Sequence, residues 1–562
     1  MTRTLSGVGV TPLSGLGTVR WYRPDGGPDL DAIQADDPDI EHERFERARE
    51  QADEELHAER ERTAKVVGED EAEIFDAHRQ FLSDPQITDA VEAAIDSGQA
   101  AEVAVDSAFG DAIDQFEGME GRMAERADDL RDLRDRLLRL LSGGERIDLA
   151  ELPAGTAVLA ERLTPSDTAQ LDPDRIAGFA TATGGRTSHA AIFARSLGIP
   201  AIVGVGEALF EVEDGVEVAV DAENDTLVVG PDEETRERVS EKRDVEIRRE
   251  RVETADGVEI EVAANVGTTA EIQGTVDQGA DGIGLYRTEF LFLDRESPPD
   301  ESEQVDTYRD ALESFPEGRV VVRTLDIGGD KPVPYLDIPD EENPFLGQRG
   351  IRRSLGPDTD LFETQLRALL RASADTEGTL SIMFPLVATT DELDAALDRV
   401  DSVTEALEAD GVAVDMPELG VMIETPGAVL MADALAERID FLSIGTNDLA
   451  QYVMAAAREN DAVADLHDPR HPPVLRAIRR TVEAAHDHDA WVGMCGEMAG
   501  DPDLTRLLVG LGLDELSMSA VTIPAVKAAV SETESTAARA LADRALAAST
   551  KHDVIEIINT QQ

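Results

Sequence analysis

Beyond Gly257, short apolar runs recur eight times: "VEIEVAANV", "GIGLYRTE", "VVVRTLDI", "LSIMFPLV", "LGVMIET", "FLSIGTND", "WVGMCGE" and "ELSMSA". Runs of this length read as buried strands, and helical stretches separate them. Eight β/α units predict a parallel (β/α)8, or TIM, barrel over 257–562. The first half of the chain has another rhythm. Residues 1–27 are glycine-rich and strand-like, as in "LSGVGVTPLSGLGTV". From 28 to 144 most positions are charged, with sparse apolar residues at helical spacing. "MAERADDLRDLRDRLLRLLSG" places Leu130, Leu133, Leu137, Leu140 and Leu141 on one stripe, and Gly143 with Gly144 supplies the stop. This predicts a helical subdomain inserted into an α/β domain built from 1–27 plus 145–230. In the latter stretch "TAVLAERL", "IAGFAT", "AIVGV", "EVAVDA" and "TLVVG" alternate with the helix "HAAIFARSLG". Residues 231–256 are polar nearly all round and predict a solvated linker helix between domains.

Charge narrows the class of partner. Across 562 residues, 118 Asp and Glu face 51 Lys and Arg, a net charge of −67. Duplex nucleic acid is thereby excluded, because its phosphates would be repelled. The acid is spread over the whole length, and lysine is confined to Lys65, Lys242, Lys331, Lys527 and Lys551. Such a surface suits concentrated salt, where screening removes self-repulsion, and points to a halophile's cytoplasm. The recurring apolar strands exclude a disordered acidic chain. A single cysteine, Cys495, leaves no intramolecular disulfide and fits a reducing compartment. No stretch approaches the roughly 18 apolar residues of a membrane helix, and the N-terminus lacks a signal-type apolar core. A cytoplasmic protein without membrane insertion is expected.

A barrel predicts where its chemistry sits, at the C-terminal ends of the strands. Those ends and the loops beyond them carry Arg287, Arg323, Arg349, Glu424, Asn447, Asp448, Arg458 and Cys495. Arginine forks grip phosphate or carboxylate, and two carboxylates with an amide suit a hard divalent ion, Mg²⁺ or Mn²⁺. The ligand read from this set is a small molecule carrying both phosphate and carboxylate. Cys495 is open to three readings: a small hydrophobe, a thiolate favoured by cations, or a thiol that donates a proton. In the other half, "GGRTSHAAIFARSLG" sets His189 at a helix start after a glycine pair. Such a turn admits a ligand close to the backbone, and the helix's free N–H groups receive phosphate. The helix end also lowers the imidazole pKa, keeping a neutral nucleophile. A phosphohistidine accounts for both features. A packing histidine is the alternative, and a metal ligand lacks a second histidine or cysteine nearby.

Long motifs carry a resemblance. "GGRTSHAAIFARSLGIPAIVG", "GIGLYRTEFLF", "RTLDIGGDK", "ENPFLGQRGIR", "IETPGA", "FLSIGTNDLAQY", "GMCGEMAGD" and "LGLDELSMSA" resemble the enzyme I family of the phosphotransferase system, along essentially the whole chain. The resemblance implies phosphoenolpyruvate–protein phosphotransfer (EC 2.7.3.9). The phosphoryl group passes from phosphoenolpyruvate to Nε2 of His189, with release of pyruvate, and then to the phosphocarrier protein HPr for sugar uptake. It implies Arg287, Arg323, Arg349, Asn447, Asp448 and Arg458 as substrate ligands. It further implies Glu424 and Asp448 as Mg²⁺ ligands, Cys495 as the proton donor to the enolate, and Lys331 as part of the pattern. A histidine domain that swivels on the charged 234–251 segment, a helical HPr-binding insert and a homodimer through the barrel are also implied. The sequence departs from the pattern at Ala190, Ala457 and Glu459, where a hydroxyl residue, Asp and Gly are usual. Pyruvate phosphate dikinase and phosphoenolpyruvate synthase are rival readings, but the chain has no room for their nucleotide-grasping domain. A non-catalytic signalling relative is the other rival, against which the intact His189, Glu424, Asp448 and Cys495 stand.

The dispersed charge generates a prediction. Folding and activity are expected to require molar salt, and dilution to unfold the chain. Between roughly 0.1 M and 1 M KCl the Debye length falls from about 10 Å to about 3 Å, so the melting temperature should climb over that range. A melting temperature independent of KCl would refute the reading.

Overall fold

The computed structural model describes residues 2–560 except 12, 23–32, 34, 36, 67–68, 118–121, 144–148, 150–151, 169, 174, 186–188, 223, 242–245, 294, 296, 330–332, 334, 340, 377, 458–459, 461–462 and 464–465. The chain forms two compact units, Met1–Asp244 and Val245–Gln562.

The first unit is built on eight strands: β1 (Arg3–Ser6), β2 (Val8–Gly9), β3 (Ser14–Tyr22), β4 (Thr156–Ala160), β5 (Ile176–Thr181), β6 (Ala201–Val203), β7 (Glu217–Asp221) and β8 (Thr226–Val229). They make one sheet in the order β1-β8-β7-β3-β4-β5-β6-β2. Strands β3 to β6 run parallel, while β7 joins β3 antiparallel. The start of the chain therefore supplies both edges of the sheet, β1 and β2, and its central strand β3. Between β3 and β4 stand five helices: α1 (Pro38–Val66), α2 (Glu69–Leu82), α3 (Pro85–Asp96), α4 (Ala101–Glu117) and α5 (Arg122–Ser142). They have their own core, in which Leu130, Leu133 and Leu137 of the α5 stripe are fully buried with Phe75, Val91 and Val105. Asp84 caps α3 by accepting from the Gln86 N–H, and Pro85 supplies the preset first turn. Helix α6 (Pro165–Thr168) meets this insert through a polar seam. Arg136 donates to Glu59 at 2.7 Å and to Ser166 at 2.8 Å, and Ser166 donates to Asp132 at 2.7 Å. Helix α7 (His189–Leu197) then follows β5.

The linker departs from expectation. Instead of one helix over 231–256, there is a nine-residue helix, α8 (Glu233–Glu241), docked on its own sheet. Val239 is buried against Ala219 and Val228. Arg236 forks onto Glu217, and Arg238 reaches Asp221 at 2.6 Å. One buried valine and two arginines paired to the sheet's acids, Glu217 and Asp221, hold this polar helix on the sheet. Residues 246–251 are not helical, and their backbone belongs to the second unit.

That unit is the expected barrel. Strands β10 (Glu259–Val266), β11 (Ile283–Arg287), β12 (Arg319–Arg323), β13 (Thr379–Phe384), β14 (Glu418–Ile423), β15 (Phe441–Gly445), β16 (Trp491–Cys495) and β17 (Glu515–Met518) pair in sequence order, all parallel. Pairing of β17 and β11 with β10 closes the ring, and β9 (Val252–Glu253) adds antiparallel to β10. Alternation sorts the side chains: Val320 and Val322 join the core beneath the helices, while Val321 packs inside with Leu285, Met383, Met422, Phe441 and Cys495.

The barrel floor is polar, which the sequence reading did not foresee. Glu261 and Glu515 stand opposite one another on β10 and β17. Arg319 binds Glu261 and Glu418, each at 3.1 Å, and lies 3.9 Å over the Trp491 ring. A Cβ at Gly284 would come 2.4 Å from Glu515 Oε1, so a glycine there makes room for the carboxylate. Nearby Lys527 is fully buried, donating to Asp281 at 2.6 Å, the Glu250 carbonyl at 2.9 Å and the Arg248 carbonyl at 3.2 Å. Its three N–H groups thus meet three oxygens. Glu515 Oε2 has no hydrogen-bond partner among the described residues. Burial, then the Glu261 charge, pushes Glu515 up to about 8, with Glu418 and Asp281 adding to the rise and Arg319 opposing it.

A raised carboxyl pKa means that the native state holds a proton the unfolded chain has lost. The contribution of Glu515 to stability is therefore fullest below the unfolded value of about 4.3 and is lost as pH rises through about 8. Melting temperature measured against pH in high salt should show that decline. Glu515→Gln should flatten it and melt higher than the parent above pH 8. Parallel profiles for the two proteins would remove the floor proton.

Candidate active site

Each end of a parallel barrel collects whatever its strands carry there. Strand β12 begins with Arg319 at the floor and ends, four residues on and on the same face, with Arg323 at the mouth. Arg323 is 6% exposed and is held by Glu289, which follows β11, and by Asp326 at 3.4 Å. Its Nη1 lies 3.5 Å from the Met422 sulfur. Burial alone would favour loss of its proton, but Glu289, then Asp326 and Glu424, hold Arg323 well above the ordinary arginine value. Arg349 enters from the loop beyond β12 and grips the same carboxylate, with Nη2 3.0 Å from Asp326 Oδ2 and Nε 3.3 Å from Oδ1. Arg287 ends β11 with its guanidinium 5.0 Å over the Phe290 ring, and its Nε has no partner among the described residues.

Glu424 stands one residue beyond β14 and is buried. One carboxylate oxygen accepts from the Leu386 N–H at 2.5 Å. Leu386 has φ of +57°, a conformation that bulky residues rarely adopt. Burial, then Asp326 and Asp448, push Glu424 up to about 8 against the pull of Arg323 and Arg349. Asn447 and Asp448 lie in the first turn of the helix Thr446–Met454, directly after β15. His467 Nε2 lies 2.8 Å from the Asn447 carbonyl oxygen.

Cys495 ends β16 inside the barrel, its thiol 3.7 Å from the Ile444 carbonyl. Burial pushes the thiol up to about 12, although Arg323 pulls the other way. Desolvation thus favours the thiol form over the thiolate, outweighing the nearby cation. The turn after it is tight: Gly496 has φ of +117°, and a Cβ there would fall 2.4 Å from Thr446 Oγ1, which donates to the Cys495 carbonyl at 3.2 Å.

His189 opens helix α7, whose first turn contains no acidic residue. In a chain with 118 acidic side chains, that leaves the positive helix end without a carboxylate of its own. Gly184, five residues earlier, has φ of +110°, the left-handed conformation expected of this turn. The side chain of His189, and all of Lys331, Arg458 and Glu459, lie outside the described residues. Ala190, where the sequence departs from the family pattern, is buried among Ala191, Ala194 and Phe179. Sequence reasoning did not single out Asp326, Glu289 or Leu386. The first two sit inside the quoted "RTLDIGGDK" and "GLYRTEFLF", and the clue was a carboxylate placed two or three residues after an arginine at a strand end.

Comparison with known proteins places the chain in a family. Three models match in chain order: the N-terminal domain of PEP-utilising enzymes over residues 6–126, their mobile domain over 152–225, and their PEP-binding domain over 241–535. A phosphoenolpyruvate-protein phosphotransferase of Haloferax volcanii is 67% identical over the whole of both chains. Another, of Bacillus subtilis, is 42% identical over 99% of each chain. An NMR solution structure of an Enzyme I protein (nEIt) is 36% identical over 42% of this chain and 97% of that one, with a TM-score of 0.36. No helix among the described residues is long and apolar enough to cross a membrane. With full-length identity to such relatives and all three domain models in order, the chain belongs to the phosphoenolpyruvate-protein phosphotransferase family, the enzyme I proteins of the phosphotransferase system.

Proposed function

We propose that this chain transfers the phosphoryl group of phosphoenolpyruvate to Nε2 of its own His189, releasing pyruvate, and then to HPr in the cytoplasm. The observation that carries the reading is the buried arginine–carboxylate cluster at the barrel mouth beside a protonated thiol. Arg287, Arg323, Arg349 and Asn447, joined by Arg458, hold the phosphate and carboxylate of the substrate through forked, charge-assisted hydrogen bonds. As the P–O bond breaks, its electron pair stays on the enolate oxygen, while the His189 lone pair forms the N–P bond. The enolate carbon takes its proton from Cys495, whose thiol form persists throughout the neutral range.

Enzymes of this family use a divalent metal. Glu424 and Asp448 fit Mg²⁺: both are hard oxygen donors, and the rise of the Glu424 pKa toward 8 comes partly from the Asp448 charge, a repulsion a cation relieves. Bound there, Mg²⁺ would supply neutralisation of substrate oxygen charge. The helical insert is read as the HPr-binding surface, and the barrel as the homodimer element.

Incubation with phosphoenolpyruvate and Mg²⁺ in high salt, followed by mass spectrometry, should find one acid-labile phosphate on His189. His189→Ala should abolish it while phosphoenolpyruvate binding to the barrel persists, and a phosphorylated mutant would sink the assignment. Cys495→Ala should slow pyruvate formation by about 10²–10⁴-fold, the usual worth of a general acid. Transfer from phospho-His189 to HPr should stay at the parent rate. Pyruvate formed by the mutant at the parent rate would reduce Cys495 to a packing residue.

A further inference from the structure

Two arginines proposed to receive the substrate, Arg323 and Arg349, are like charges buried side by side at 6% and 5% exposure. Nothing in their own strands forces them together: one ends β12 and the other comes from a loop 26 residues later. Asp326 joins them. Its Oδ2 lies 3.0 Å from Arg349 Nη2 and 3.4 Å from Arg323 Nη1, and its Oδ1 takes the Arg349 Nε at 3.3 Å. The carboxylate is 2% exposed, so solvent does little to screen its charge from these two groups. The backbone makes room for it. Gly350 has φ of +53°, and a Cβ there would stand 3.1 Å from Asp326 Oδ1 and 3.2 Å from the Leu386 Cβ. We propose that Asp326 is a positioning residue for phosphoryl transfer, clamping Arg323 and Arg349 into one rigid, paired receptor. The inference rests on the barrel-mouth reading given above.

The electrostatics of this role are distinctive. A carboxylate inside a pocket for a multiply charged anion opposes ground-state binding. Its benefit lies in geometry: without it the two guanidinium groups repel, and each is free to follow the substrate. Misplacement by about 1 Å costs on the order of 10²-fold in rate. A residue kept only for stability would alter neither balance. Glu289 remains on Arg323, and an amide at 326 still offers one oxygen acceptor, so loss of the charge alone leaves the fold supported.

The experiment measures phosphoenolpyruvate affinity, with Mg²⁺ in high salt, and the single-turnover rate of His189 phosphorylation on the full chain. Asp326→Asn should bind as tightly as the parent or more tightly, yet phosphorylate about 10²-fold more slowly, with its melting temperature unchanged. Gly350→Ala, which crowds the same carboxylate but keeps its charge, should slow phosphorylation without tightening binding. A parent-like rate in Asp326→Asn overturns the inference, as does an equal loss of affinity and rate. Arg349→Lys tells the two readings apart. If it binds phosphoenolpyruvate like the parent, the barrel-mouth assignment fails and this inference with it. If it loses affinity while Asp326→Asn behaves as the parent in both measurements, the inference alone fails.

Discussion

A guanidinium buried beneath the barrel mouth cannot exist without counter-charge, and Arg323 has the deepest claim on it. Glu289, Asp326 and Glu424 arrive from three different strand ends to meet that demand. Each acid brought in is itself buried, so a second cation, Arg349, balances them in turn. The mouth is thus a network of buried opposite charges in which each arginine faces at least one carboxylate. An anion that enters meets a receptor already arranged, with its reorganisation completed during folding.

The same logic operates at the opposite end with a different outcome. Around Arg319 the acids outnumber the cation, and the surplus is relieved by a proton on Glu515, while burial raises the Glu261 carboxyl pKa as well. Between the two polar ends lies an apolar layer of Leu285, Val321, Met383, Met422 and Phe441. Strand β12 spans all three layers in five residues, which is why one barrel holds two separate electrostatic systems.

The eight barrel strands were legible as short apolar runs, and where a run stops at a polar residue, as at Arg287, Arg323 and Glu424, that residue became part of the mouth. The fate of 231–256 was not legible. Val239 is one apolar residue among charges, and only the sheet it lands on gives it meaning. Cys495 could be located but its protonation state could not, since cation and burial act in opposite directions and only the structure weighs them. Asp326 and Leu386 were hidden for another reason: their partners, Arg349 and Glu424, are 23 residues away in one case and 38 in the other. Glu261, Glu418 and Glu515 resembled surface acids in a chain that has 118 such residues.

Lys527 gives the barrel an internal clock. In a chain with five lysines, one amine is sealed between the 248–250 backbone and Asp281, its three hydrogens all engaged. An acylating reagent needs the free base, so it reaches Lys527 only after that segment has peeled away. The pace of its labelling, set against the half-buried Lys551 on the C-terminal helix Lys551–Asn559, reads out local opening of the barrel base with no probe introduced.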